Sequence, residues 1–233
     1  MGVFDSIFNG ERQASVSKYE PPVAKMTSGM VTAAGPKSLN TWRFQSQDHN
    51  TLSKVSELYG GDVRKVKGPN GNEVEHVITT DYDVEGVVDS ARDVQAAGIL
   101  WKNGRPHHKC NFKVYLKGTA EGTVGEECGC GEFNLYELKQ RAKAKEGPAP
   151  NISVDFTPAQ DQEFGKVRFQ SYSWDVLKMI DGFTAEITEA GEPVVVSFSK
   201  VYRSYDDPDT GELIEKREVA LAVTGTLNDE IAS

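Results

Sequence analysis

All three cysteines of this chain, and two of its four histidines, fall between His107 and Cys130. They form two short pairs, His108-x-Cys110 and Cys128-x-Cys130, separated by a loop. Zinc takes four tetrahedral ligands of thiolate or imidazole type at about 2.0–2.3 Å, and two chelating pairs across a loop suit that requirement. Gly129 and Gly131 supply the backbone freedom that a one-residue spacer demands. The spacing therefore predicts a Zn2+ site built from His108, Cys110, Cys128 and Cys130, with His107 an alternative nitrogen ligand. Four protein ligands leave no open coordination position, so the predicted role is structural. A site of this type releases on the order of 10 kcal/mol of apparent binding energy in zinc-finger peptides. Here that would be folding energy for residues 105–145.

The remaining segments read as an α+β fold: mainly antiparallel β-strands, about three helices and a zinc-binding loop insertion. Leu39 to Ser46 alternates as a strand, and Asp48 can cap a helix with Leu52, Val55, Leu58 and Tyr59 on one face. Gly60-Gly61 ends that helix. Val63 to Lys67 and Glu73 to Thr79 flank a Gly-Pro-Asn-Gly-Asn turn and read as a hairpin. Val84 to Val88 and Ala97 to Lys102 are further strands, and Glu132 to Lys145 is a helix with a basic end that suits its dipole. Strands follow at Ile152 to Phe156 and Lys166 to Gln170. Ser173 then caps a helix striped by Trp174, Leu177, Ile180, Phe183 and Ile187. Two long strands, Val194 to Tyr202 and Leu213 to Val223, complete the pattern. Residues 1–35 read as an extended N-terminal arm. The break at Gly147-Pro148-Ala149-Pro150 divides an N-terminal subdomain with the zinc loop, 36–147, from a C-terminal one, 148–233, unless one core runs through both.

Net charge is −9, the wrong bulk sign for a protein that grips DNA through phosphates. It favours a protein partner with a basic surface. No run of 18 or more apolar residues offers a membrane span, and the N-terminus lacks the basic start and apolar core of a signal peptide. Three cysteines, an odd number, argue against a disulfide-stapled secreted domain, so the expected compartment is the cytoplasm. No nucleophile elbow, Walker loop, dinucleotide fingerprint or H-E-x-x-H helix is present, and a non-enzyme is expected.

Six short signatures occur in order: Leu39-Asn40-Thr41-Trp42-Arg43-Phe44, Leu58-Tyr59-Gly60-Gly61, the His108/Cys110 pair, Cys128-Gly129-Cys130-Gly131, Phe164-Gly165-Lys166-Val167-Arg168-Phe169 and Ser171-Tyr172-Ser173-Trp174. Together they resemble the recombination directionality factors of actinobacterial phages that partner large serine integrases. The resemblance spans roughly residues 36–200. It implies a regulator that catalyses nothing itself, binds the integrase rather than a specific DNA sequence, and switches it from integration to prophage excision in the bacterial cytoplasm. Trp42 and Arg43, with Phe4 and Phe8 of the arm, are residue types that anchor such contacts; core packing is the competing role for Trp42. A second reading is a single-stranded nucleic-acid binder of phage replication, whose strand aromatics stack on bases.

Overall fold

The computed structural model describes residues 21–32, 35–67, 72–206 and 211–227. Phe4 and Phe8, the arm's two candidate contacts, lie outside the described residues. Within them the fold is α+β: three α-helices set against an eleven-stranded, mostly antiparallel sheet.

The chain opens with β1 (Ala24–Thr32) and β2 (Gly35–Gln45), an antiparallel pair. This corrects the last part of the expected arm, since residues 24–32 form a strand deep in the sheet, while residues 1–20 lie outside the described residues. Ala24 and Met26 are buried, but the register shifts between Thr27 and Gly29. That irregularity cuts the alternation to two periods, too few to announce a strand.

After β2 comes α1 (His49–Tyr59), capped by Asp48, whose carboxylate accepts from the Asn50 and Thr51 amides. Its Leu52, Val55 and Tyr59 are buried, with Tyr59 stacked on Phe44 at 5.5 Å. The chain leaves the helix through Gly61, where φ is +88° and a Cβ would stand 2.1 Å from the Ile78 carbonyl oxygen. Only glycine fits there. The hairpin of β3 (Val63–Lys67) and β4 (Glu73–Ile78) follows, then β5 (Asp83–Val88), β6 (Val94–Lys102) and β7 (Arg105–Cys110).

Past the cysteine loop, α2 (Leu135–Lys143) leads into β8 (Ala149–Pro158), β9 (Val167–Ser171) and α3 (Trp174–Ala190). The last elements are β10 (Val194–Asp206) and β11 (Leu213–Thr226). The strand order is β11-β10-β5-β8-β9-β1-β2-β4-β3, with β6 and β7 branching from β8. All pairings are antiparallel except β1 with β9. β8 is the hub, joined to β6, β9 and β5. Ala149 and Pro150 already pair with Ile99 and Gly98, so Gly147 to Pro150 separates no subdomains. One hydrophobic cluster takes in Trp42 and Val77 on one side of that break and Phe156, Ile180 and Phe198 on the other.

The sheet curls until its two halves meet. Phe198 on β10 lies 4.6 Å from Phe156 and 5.2 Å from Phe169. Lys200, also on β10, crosses the core to donate to the carbonyls of Ser28 (3.1 Å) and Leu39 (2.8 Å), where the β1–β2 ladder is interrupted. It is 4% exposed, and burial pushes its pKa from 10.5 down to about 8. Between those values the unfolded chain holds more protons, so this residue makes stability rise with pH from about 8 to 10.5. Urea denaturation at pH 7.5 and 9.5 should show Lys200→Met lacking a rise on the order of 2 kcal/mol that the parent protein shows. Identical pH profiles would count against a desolvated amine.

No helix of the described residues is long and apolar enough to cross a membrane.

Candidate metal centre

Strand geometry explains the first ligand pair. Residues two apart on a strand point the same way, and His108 and Cys110 are both buried on β7. His107 falls on the opposite parity. After Cys110 the chain turns sharply. Phe112 has φ +68°, and the Asn111 side-chain oxygen accepts from the amides of Lys113 (3.0 Å) and Val114 (2.7 Å). Isolated bridges, Cys110 to Tyr115 and Val114 to Glu127, bring the loop back. The Cys128 amide then bonds the Lys113 carbonyl at 2.9 Å.

The second pair is built differently. Gly129 adopts the left-handed conformation (φ +71°), and Cys130 starts a 3-10 turn, Cys130–Glu132. The reversal at Gly129 lets both thiols face the first pair, as its glycine identity suggests.

The four ligand atoms lie within 4.8 Å of one another. Cys110 Sγ is 3.9 Å from Cys130 Sγ, and Cys130 Sγ is 3.4 Å from His108 Nε2. A tetrahedron with ligands about 2.3 Å from its centre has edges of about 3.8 Å. The cluster therefore has the spacing and donor set to hold a metal ion. Of the two histidines, His108 is the one in the cluster. His107 stands outside, with Nε2 3.8 Å from Glu121.

Glu121, which the sequence did not single out, reaches the cluster from a loop with several other acids. Its Oε2 sits 3.1 Å from His108 Nδ1, on the face of the ring turned away from the thiols. A carboxylate in that place fixes the ring and makes the ligating nitrogen more basic. Tyr115 packs on the same ring at 4.9 Å.

Electrostatically the cluster asks for a cation. Hydrogen bonds from Cys110 and Cys130 draw the Cys128 thiol far below its ordinary value. Hydrogen bonding to Cys128 and Cys130 pushes His108 up to about 10. Cys110, hydrogen-bonded to both other cysteines and buried, is pushed up. Without metal, a proton on the imidazole balances a thiolate. A dication at the centre would displace that proton and those of the remaining thiols.

The knuckle is tied to the body. Phe112 lies 5.9 Å from Trp174 at the start of α3. The helix after it, α2, opens with a reciprocal capping box between Asn134 and Glu137 and buries Leu138. Arg141 at its basic end lies over the Phe133 ring at 4.4 Å.

The candidate partner contacts do not assemble around this centre. Trp42 is 0% exposed and is corrected to a core residue. Its alternation partner Phe44 is equally buried, and its indole Nε1 donates to the Tyr82 carbonyl at 2.9 Å. Arg43, of opposite parity, is partly exposed, with its guanidinium 3.4 Å from His76 Nδ1. The strand aromatics Phe156, Phe169 and Phe198 are fully buried, which removes them from any base-stacking role.

Against known proteins, no family model matches the chain and no solved structure matches it.

Proposed function

We propose that this protein is a recombination directionality factor: it binds a large serine integrase on its attachment sites and turns it toward prophage excision, with zinc as an internal fastener. The observation that carries the fastener, and a role without catalysis at this site, is the cluster of His108, Cys110, Cys128 and Cys130. Three thiolates and an imidazole are the donors zinc prefers over magnesium or calcium. With all four positions taken by protein, zinc would hold the knuckle in shape and leave no site for a substrate. The ordered signatures from Leu39 to Trp174 support the choice of integrase as partner and the bacterial cytoplasm as its setting.

Control by such a factor is a population shift. A factor that binds the excision-competent arrangement of integrase more tightly moves the equilibrium by that difference in affinity. Moving it from 1:99 to 99:1 takes about 5.5 kcal/mol. With Trp42 in the core, the side chains suited to this contact lie on the far part of β10–β11. Past Lys200, β10 pairs only with β11 among the described residues, and Tyr202, Tyr205 and Leu213 are exposed there.

The test is recombination of paired hybrid attachment sites by the cognate integrase, with and without this protein. Excision should rise at least tenfold, and Tyr202→Ala with Leu213→Ala should remove most of the gain. Integrase activity indifferent to the protein would end this reading.

A further inference from the structure

A net charge of −9 conceals a local reversal of sign. Ala24, Met26, Phe44, Val167 and Phe169 point into the core. Alternation therefore places Lys25, Arg43, Gln45, Arg168 and Gln170 on the other side of β1, β2 and β9. Register aligns Lys25 with Arg168 on one neighbouring strand and with Gln45 on the other. Adjacent strands stand about 4.8 Å apart, so these side chains form a row across the sheet.

Three shallow troughs of about 720, 570 and 770 Å³ share Gln170 along this face. They run from the start of α1 to Lys109 and Lys117 beside the metal knuckle. Among the described residues, seven basic side chains line them, against a single carboxylate, Asp48. Asp48 is engaged as the α1 cap. Arg168 is matched by Asp155 through two 2.7 Å hydrogen bonds. By contrast, Lys25, Lys37, Lys109 and Lys117 make no ion pair among the described residues.

Two further observations suit an anionic ligand on this face. Arg43 Nε is buried with no hydrogen-bond acceptor among the described residues. The Lys25 ammonium is destabilised by burial and then by the charges of Arg43 and Arg168. Like charges crowded on one face cost stability, and an anionic ligand relieves that cost.

We propose that this trough binds a single strand of nucleic acid through its phosphates, without sequence preference. The cations are spread along an elongated path, as a repeating anion requires, rather than gathered at one point. Between them lie neutral amides, Gln45, Gln95, Asn151 and Gln170, suited to sugar and base edges. Tyr172 stands at one end, 58% exposed, as a platform for a base. A trough of this volume admits a few nucleotides of one strand, whereas a duplex would rest on its rims. The inference does not depend on an integrase partner.

Fluorescence anisotropy of the full metal-loaded chain with a labelled oligo-dT of about 20 nucleotides tests it. Four phosphate contacts predict roughly 50-fold weaker binding on going from about 50 to 200 mM salt. Lys25→Gln combined with Lys117→Glu should lower affinity at least tenfold, and Tyr172→Ala at least fivefold. Lys54→Glu with Lys178→Glu, on α1 and α3, should leave it unchanged. No binding at the lower salt, or equal loss in the helix control, would overturn the proposal. So would polyglutamate binding as tightly as oligo-dT, which would make the trough a site for an acidic protein.

Discussion

Cys110→Ser is expected to cost the protein most of its stability. Serine keeps the side chain's shape, so the change removes one of the four candidate ligands with little effect on packing. Metal binding at a structural site of this type contributes on the order of 10 kcal/mol, and whole domains are stable by only about 5–15 kcal/mol. Cys110 is fully buried and belongs to the main hydrophobic cluster with Phe112, so loosening the knuckle disturbs the start of α3 through Trp174. The variant should bind less than one equivalent of zinc and unfold at much lower urea. Acid should imitate it. A metal ion held there would compete with protons for His108 and the three thiols, so its affinity should fall as pH falls. His108, raised to about 10 without metal, must give up a proton even at neutral pH. A Cys110→Ser protein with unaltered urea midpoint would show that the cluster holds no stabilising ion.

Trp42→Ala should cost about 5 kcal/mol, the second largest effect. Emptying a fully buried aromatic site costs about 3–5 kcal/mol, and Trp42 is fully buried against Phe169, edge to face at 5.9 Å. The substitution also removes the indole donor from the Tyr82 carbonyl, a small further loss because that carbonyl keeps the Lys200 amide at 3.0 Å. Lys200 loses the ring beneath its ammonium, now 5.0 Å away. Trp42→Phe should recover roughly half of the loss, because volume returns but the hydrogen bond does not. Urea denaturation compares the three proteins. A Trp42→Ala protein as stable as its parent would return this residue to the list of surface contacts.

What the chain reveals unaided divides along the range of its interactions. The α3 stripe, the Asp48 cap and the alternation of Ile152, Val154 and Phe156 are local patterns, and each matches the element found. The ligand set was readable because both pairs are short. Choosing His108 over His107 needed only the parity of β7 with Cys110. By contrast, alternation showed that Trp42 and Phe44 share a face without telling whether that face is inside. β1 escaped because its register shift at Ser28 erases the pattern and its partner β9 is remote in sequence. Glu121 reaches His108 from a loop with no periodicity. The cationic row could not be read at all, since its members sit on different strands and meet only through register.

The parallel pairing of β1 with β9 also sets a clock. Ala24 to Thr27 line up with Val167 to Gln170, so the N-terminal strand cannot find that neighbour until the ribosome has made nearly three quarters of the chain. At about 5–20 residues per second the wait is on the order of ten seconds. Through that interval one edge of the nascent β1–β2 hairpin has no strand to bond, and open edges invite pairing with other chains. The cations Lys25 and Arg43 on that hairpin add repulsion between two such hairpins, so the charges proposed to hold a nucleic acid strand in the finished protein also guard the unfinished one.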